Sequence, residues 1–107
     1  MRIWHEQLIP KLCQKHLCAM WREGLGAYAI ITQGKKGYAN HPATKEFEDC
    51  PQILHKILGK VQGEMFARCY HPKALPLKES GTGKRKPWQS KEEQIKILKA
   101  KKCKCQV

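Results

Sequence analysis

The sequence predicts an all-α fold: a compact single domain of about three helices with irregular connections and a basic C-terminal tail. Apolar residues recur at helical spacing in two long segments, residues 14–32 and 51–66. A capping-box pattern at Ser90 and Glu93 opens a third, shorter helix. The length of 107 residues suits one domain, spanning residues 1–107, with a small core.

The first helix is predicted from residue 14 to about residue 32. Its apolar face consists of Leu17, Met20, Trp21, Leu25, Tyr28 and Thr32. Pro10 suits the chain before this helix, and Gly34 suits its end. Gly24 and Gly26 each weaken a helix by about 1 kcal/mol relative to alanine. We therefore expect either a ligand or a second helix to approach the backbone at these two glycines.

The second helix is predicted to begin at Pro51, because proline is favoured in the first helical turn. Its apolar residues are Ile53, Leu54, Ile57, Leu58, Val61, Met65 and Phe66. Residues 72–89 are rich in proline, glycine and cations, which predicts an irregular basic connection. The third helix follows through Ile95 and Leu98, and residues 99–107 form the basic tail.

The charge of the chain indicates a polyanionic partner. The sequence has 21 Lys and Arg residues against nine Asp and Glu residues, a net charge of +12. Nucleic acid is the first candidate for such a partner. A membrane surface is a weaker one, since the chain lacks a basic amphipathic helix with a wide apolar face. The sequence has neither a membrane-spanning apolar run nor the apolar region of a signal peptide, so we expect an intracellular protein without membrane contact.

The six cysteines lack the dense, regular spacing of a disulfide scaffold and are interpreted as reduced thiols. Cys13 and Cys18 would lie about 140° apart on a helix, too far to hold one ion together. Cys103 and Cys105 could bind a soft metal, but two incidental thiols in an exposed tail are the favoured interpretation. We expect no metal and no cofactor. A small metal-binding protein that uses Cys103, Cys105 and a histidine stays an alternative.

A second stripe on the first helix carries the residues of chemical interest. Its members are His16, Ala19, Glu23, Gly26, Ala27 and Ile30. Glu23 is the only carboxylate between Glu6 and Glu46, and His16 lies two turns before it on the same line. Small neighbours leave room for a substrate backbone. From the pattern alone, Glu23 would pair with Lys15 or Arg22 or stand in solvent.

Two further segments could hold phosphates. The loop QGKKGYANHP contributes Lys35, Lys36, Asn40 and His41. The irregular connection contributes Lys84, Arg85, Lys86 and Trp88, an aromatic residue beside a cationic cluster.

Four stretches, MRIWH, KHLCAMWREGL, GYANHP and EMFARCYHP, resemble the pyrimidine-dimer DNA glycosylase family, the small all-α repair enzymes of the phage endonuclease V type. The resemblance covers about residues 1–72, and the spacing of residues 16, 17, 22 and 23 is its most specific part. It implies a glycosylase with AP-lyase activity that acts on double-stranded DNA containing a lesion or an abasic site. We expect the protein to work as a monomer.

The resemblance also implies roles for single residues. In this family the α-amine of the chain attacks C1′ of the damaged nucleotide, and a glutamate assists. Met1 and Glu23 match these positions, and Arg2, His16 and Arg22 match positions that grip the DNA. An α-amine loses its proton at much lower pH than a lysine side chain does, so part of it is neutral and nucleophilic near pH 7. The alternative is a non-catalytic DNA-binding module in which Glu23 orients Arg22.

Overall fold

Five helices and no strand make up the regular structure of the computed structural model, which describes residues 1–107. A 3-10 helix runs over Glu6–Lys11, and α1 spans Gln14–Gln33. The short helix α2 spans Pro42–Lys45, α3 spans Pro51–Ala67 and α4 spans Lys91–Ala100. The predicted all-α fold is confirmed, with three longer helices joined by irregular segments.

Helix α1 buries the face that its periodicity predicts. Leu17, Met20, Trp21 and Tyr28 are buried, together with Gly24 and Ala27, whereas Leu25 and Thr32 at the edges of the face are half-buried. Gly34 ends the helix in the left-handed conformation, at φ 65°, and its N–H donates to the carbonyl of Ile30 at 3.1 Å. Only glycine adopts this conformation without a steric penalty.

The two glycines inside α1 lie in different surroundings. A methyl group added at Gly24 would lie 2.6 Å from Cδ2 of Leu58, so Gly24 lets α3 pack closely against α1. A methyl group added at Gly26 would meet nothing within 4 Å. Of the two predicted reasons for these glycines, a ligand or a second helix, the second helix accounts for Gly24. Gly26 faces open space.

Helix α3 supplies the opposite side of the core. Its buried apolar residues are Leu54, Ile57, Leu58, Val61 and Met65. Phe66 was predicted on this face but is 56% exposed, because it lies beyond the edge of the buried stripe. Helix α4 begins at the predicted cap, where Oγ of Ser90 accepts from the N–H of Glu93 at 3.1 Å, and it buries Leu98.

The irregular segments are tied to the helices by side chains. Tyr28 Oη donates to the carbonyl of Leu77 and accepts from the N–H of Glu79, both at 2.7 Å. At the other end of the chain, the N–H of Gln106 donates to the carbonyl of Lys11 at 2.8 Å. The C-terminal residues therefore fold back beside the start of α1.

None of the helices combines the length and the apolar character needed to cross a bilayer.

Candidate active site

The N-terminus is held against the middle of α1 by a backbone hydrogen bond. The N–H of Arg2 donates to Oε2 of Glu23 at 2.9 Å. Ile3 and Trp4, which follow, are buried and anchor this segment, and the side chain of the buried Gln94 donates to the carbonyl of Ile3 at 3.2 Å. These contacts hold the segment that follows Met1 beside Glu23.

Met1 and Glu23 line one cavity of about 440 Å³ on the outer side of α1. Its floor consists mainly of small residues, Gly26, Ala27 and Ala29, and its rim carries the exposed cations Arg22, Lys35 and Lys36. The predicted stripe of small residues thus forms a groove with a carboxylate inside it and positive charge around it. This arrangement suits a phosphate-bearing substrate.

Glu23 has neither of the partners that the sequence suggested. No ion pair joins it to Lys15 or Arg22, and its hydrogen bond comes from the backbone of Arg2. Glu23 is half-buried, and no cationic group lies within 4 Å of its carboxylate oxygens. It is therefore available to stabilise positive charge that develops in the cavity.

The side chain of Arg2 is fixed between two tryptophans. Its guanidinium carbon lies 5.3 Å from the ring centroid of Trp4 and 5.3 Å from that of Trp88. Its Nε donates to Oε1 of Gln89 at 2.9 Å, while its two terminal nitrogens have no partner within the protein. Cation–π contacts with both rings hold the guanidinium in place, and its free nitrogens can still donate to a ligand.

His41 stands at the start of α2, beside the N-terminus. Its Nδ1 accepts from the N–H of Ala43 at 3.1 Å. Its ring is perpendicular to that of Trp88, with the ring centroids 5.3 Å apart. Burial lowers the pKa of His41, and the positive charges of the N-terminal amine and of Arg2 lower it further, against an opposing effect of Glu23. The imidazole is therefore neutral at pH 7, and its pKa responds to the same α-amine that lines the cavity.

A family model described as pyrimidine dimer DNA glycosylase matches residues 1–76. The chain belongs to this family. No curated protein and no solved structure matches it. Membership confirms the resemblance seen in the sequence and makes the protein a DNA glycosylase whose substrate is DNA. The matched region contains Met1, Arg2, Glu23 and His41, but not Trp88 or Gln89.

Two of the cations predicted to contact DNA are paired inside the glycosylase. Arg85 donates to Glu46 at 2.6 Å and to Glu6 at 2.9 Å, and Lys86 pairs with Glu48 at 3.0 Å and with Asp49 at 2.8 Å. Their charge is neutralised locally, so in this conformation they are weaker candidates for phosphate contacts than the sequence suggested. Lys84 and Asn40 are exposed.

His16 does not share the cavity of Glu23, although the helical wheel placed both on one line. Its Nδ1 lies 3.2 Å from Sγ of Cys13 and 3.2 Å from Sγ of Cys105. The stripe on α1 is therefore divided between two sites. Glu23 and Gly26 line the cavity at Met1, and His16 and Ala19 line a separate cleft beside the C-terminal residues.

Sequence analysis missed three residues at the site. Tyr38 lines the cavity with its side chain 63% exposed, and Gln89 and Trp4 hold Arg2. Tyr38 lies in the stretch GYANHP that resembles the family. Its aromatic side chain, which could stack on a base, was the signal that could have identified it. The role of Gln89 depends on a contact across 87 positions, which no local pattern reveals.

Another cleft, of about 460 Å³, lies between the end of α1 and the start of α3 and is lined by Glu48, Asp49 and Glu79. Lys86 pairs with Glu48 and Asp49, but three carboxylates and no cation line this cleft, which disfavours a phosphate backbone. The cavity at Met1 is therefore the better candidate for DNA.

Proposed function

We propose that the protein cuts the glycosidic bond of a damaged pyrimidine in duplex DNA, with the α-amine of Met1 as nucleophile, and then nicks the strand as an AP lyase. Cyclobutane pyrimidine dimers are the proposed lesion. Met1 is the amine-bearing residue because the bulky Arg2 at the second position disfavours its removal. Glu23 is the assisting carboxylate.

One observation carries this proposal: Glu23 accepts the hydrogen bond of Arg2 N–H at 2.9 Å while Met1 and Glu23 line the same cavity. A nucleophile acts efficiently when it is held near the groups that assist it. The hydrogen bond restricts the residue after the amine, so little conformational freedom is left to lose when the substrate arrives.

The proposed chemistry needs one amine and one carboxylate. The neutral amine forms a bond to C1′ as the bond to the pyrimidine breaks and the base leaves with its electron pair. The sugar ring then opens to an imine, and loss of a proton from C2′ expels the 3′ phosphate by β-elimination. Glu23 stabilises the positive character that develops on the sugar and carries protons during ring opening and elimination.

The DNA contacts are proposed at the rim of the cavity. Arg22, Lys35 and Lys36 are exposed cations beside the groove and suit the phosphates that flank an extruded nucleotide. Arg2, whose terminal nitrogens have no protein partner, and the exposed Asn40 and Lys84 are proposed as further DNA contacts.

Borohydride trapping on DNA with an abasic site tests the proposal, because reduction converts an imine into a stable covalent adduct. We expect an adduct with the unmodified protein and a large loss of it in Glu23→Gln or after chemical blocking of the α-amine. Glutamine keeps an oxygen that can accept from Arg2 N–H, so Glu23→Gln removes charge and preserves the fold.

The matched control is Glu92→Gln, which removes an exposed carboxylate from the first turn of α4 and should trap like the unmodified protein. Intact mass first establishes that Met1 is retained and carries no formyl or acetyl group. A protein with a free amine that binds the DNA but gives no adduct would be a non-catalytic binding module instead.

A further inference from the structure

Four potential metal ligands meet where the C-terminal residues return to α1. They are Cys13, His16, Cys103 and Cys105, and their ligand atoms all lie within 4.8 Å of one another. We propose that these residues form a structural Zn²⁺ site with three thiolates and one imidazole. This site is separate from the cavity at Met1 and does not depend on the proposed function.

The distances are close to those of a tetrahedral site. With Zn–S at about 2.3 Å and Zn–N at about 2.0 Å, the ligand atoms of a tetrahedron are about 3.5 to 3.8 Å apart. Nδ1 of His16 lies 3.2 Å from the sulfurs of both Cys13 and Cys105. Small shifts of these side chains would bring all four ligand atoms to tetrahedral distances around an ion.

Local backbone structure aims both ligand pairs at this point. Cys13 caps α1 and His16 lies three residues later, which places both side chains on one helix face. After α4 ends at Ala100, Cys103 and Cys105 are half-buried while Lys102 and Lys104 are exposed. This alternation puts the two cysteines on the same side of the segment.

A backbone N–H and several lysines surround the cluster. The N–H of Cys13 donates to Sγ of Cys105 at 3.1 Å, the kind of backbone contact that supports a metal-bound sulfur. Lys15, Lys101, Lys102 and Lys104 line the cleft at the cluster. Binding Zn²⁺ with loss of three thiol protons changes the local charge by only −1, and these four cations stabilise that charge.

The site would fasten the C-terminal segment to the start of α1. Because the two ligand pairs are about 90 residues apart in the chain, the ion would join α4 and the tail to the N-terminal half of the protein. In this proposal His16 is a metal ligand. The family resemblance had instead suggested that His16 contacts DNA.

The test uses the full-length protein purified under reducing conditions, with zinc content measured and Co²⁺ titrated as a spectroscopic probe. We expect one zinc ion per chain, and with Co²⁺ the strong visible absorption of a tetrahedral site together with a thiolate-to-metal charge-transfer band. Cys105→Ser and Cys103→Ser should each weaken Co²⁺ binding by about tenfold or more. Chelation of the metal should lower the melting temperature of the unmodified protein but not that of these variants.

Cys18→Ser is the matched control, because Cys18 lies on α1 outside the cluster, and it should bind Co²⁺ like the unmodified protein. If a cysteine variant fails to fold, the zinc content and Co²⁺ spectra of the unmodified protein and of Cys18→Ser still test the proposal. Co²⁺ spectra without thiolate bands in the reduced protein, or a Cys105→Ser variant with unchanged affinity, would overturn the proposal. A Cys13–Cys105 disulfide in the purified protein, with no metal uptake after reduction, would overturn it as well.

Discussion

At the scale of single residues, the carboxylate of Glu23 is distinguished by its hydrogen bond from the backbone of the N-terminal segment. In a chain of net charge +12, the expected partner of a lone acid on a helix is a neighbouring lysine or arginine. The structure instead gives it the N–H of Arg2 at 2.9 Å. This contact leaves the negative charge free for chemistry, which an ion pair with Arg22 would not.

Tyr38 offers an aromatic surface for an unstacked base at the rim of the cavity. Its side chain is 63% exposed and makes only an edge contact with His41, with ring centroids 6.1 Å apart. Stacking of a base on an aromatic ring contributes about 1 to 3 kcal/mol. We therefore expect Tyr38→Ala to weaken binding of lesion-containing duplex by about tenfold, measured by fluorescence anisotropy, with an unchanged melting temperature. Equal affinity in Tyr38→Ala and the unmodified protein would remove Tyr38 from the site.

His41 should make stability depend on pH. Its pKa is lowered in the folded protein by burial and by the charges of the N-terminal amine and Arg2. Below the ordinary histidine pKa of about 6.5, the unfolded chain binds a proton that the folded chain resists, so the free energy of unfolding decreases as the pH falls. Protonation would also remove the acceptor that caps α2.

Asparagine is the matched replacement for His41, since it caps a helix well and does not titrate. Urea denaturation at pH 7 and at about pH 5 should show a smaller loss of stability in His41→Asn than in the unmodified protein. The other histidines are common to both proteins, and parallel pH profiles would contradict the assignment.

At the scale of elements, the sequence predicted α1, α3 and α4 well because each has a strong local signal. Buried apolar periodicity defines α1 and α3, and a cap defines the start of α4. The 3-10 helix Glu6–Lys11 and the four-residue α2 were not predicted, since neither is long enough to show a period. Both are stabilised by side-chain caps from His5 and His41, and histidine is not a residue that sequence analysis expects at a cap.

The two glycines of α1 provide a prediction about helix packing. An alanine at either position gains about 1 kcal/mol of helix propensity. At Gly24 the added methyl group would lie 2.6 Å from a buried side chain of α3, which costs about 1 to 3 kcal/mol of overpacking, whereas at Gly26 it meets open space. We expect Gly24→Ala to be less stable than Gly26→Ala by about 1 to 3 kcal/mol in urea denaturation. Two variants of equal stability would show that α3 does not pack against Gly24 as described.

At the scale of the whole molecule, internal ion pairs separate neutralised cations from cations that are free to contact DNA. Part of the basic C-terminal half is neutralised internally: Arg85 pairs with Glu6 and Glu46, and Lys86 pairs with Glu48 and Asp49. Lys35 and Lys36 have no such partners and line the cavity. Net charge alone could predict a nucleic-acid partner but could not tell paired cations from free ones.

Lys35 and Lys36 should account for part of the salt dependence of DNA binding. Each phosphate contact contributes about 0.9 to the slope of log affinity against log salt concentration. The double variant Lys35→Ala, Lys36→Ala should therefore reduce that slope by up to about 2. The double variant Lys56→Ala, Lys60→Ala on the exposed face of α3 changes the net charge equally and is the control. Equal slopes in the two double variants would place the DNA elsewhere.

The features that the sequence could not predict join distant parts of the chain. Gln89 and Trp88 hold Arg2, and Cys105 meets Cys13 and His16. These contacts form only when the C-terminal segment folds back, so no spacing within a helix or loop encodes them. Glu23 and the N-terminus were accessible to sequence reasoning because the family resemblance identified them, although helical periodicity by itself favoured a solvated carboxylate.

If the α-amine of Met1 forms the bond to DNA, the trapped DNA must be attached to that amine. After borohydride trapping, nuclease treatment and cleavage after glutamate residues, the peptide Met1–Glu6 contains the amine and no lysine. Mass spectrometry should find the reduced sugar remnant on the amine of Met1 in this peptide. Attachment to Lys35 or Lys36, the lysines that line the same cavity, would show that a lysine and not the α-amine is the nucleophile.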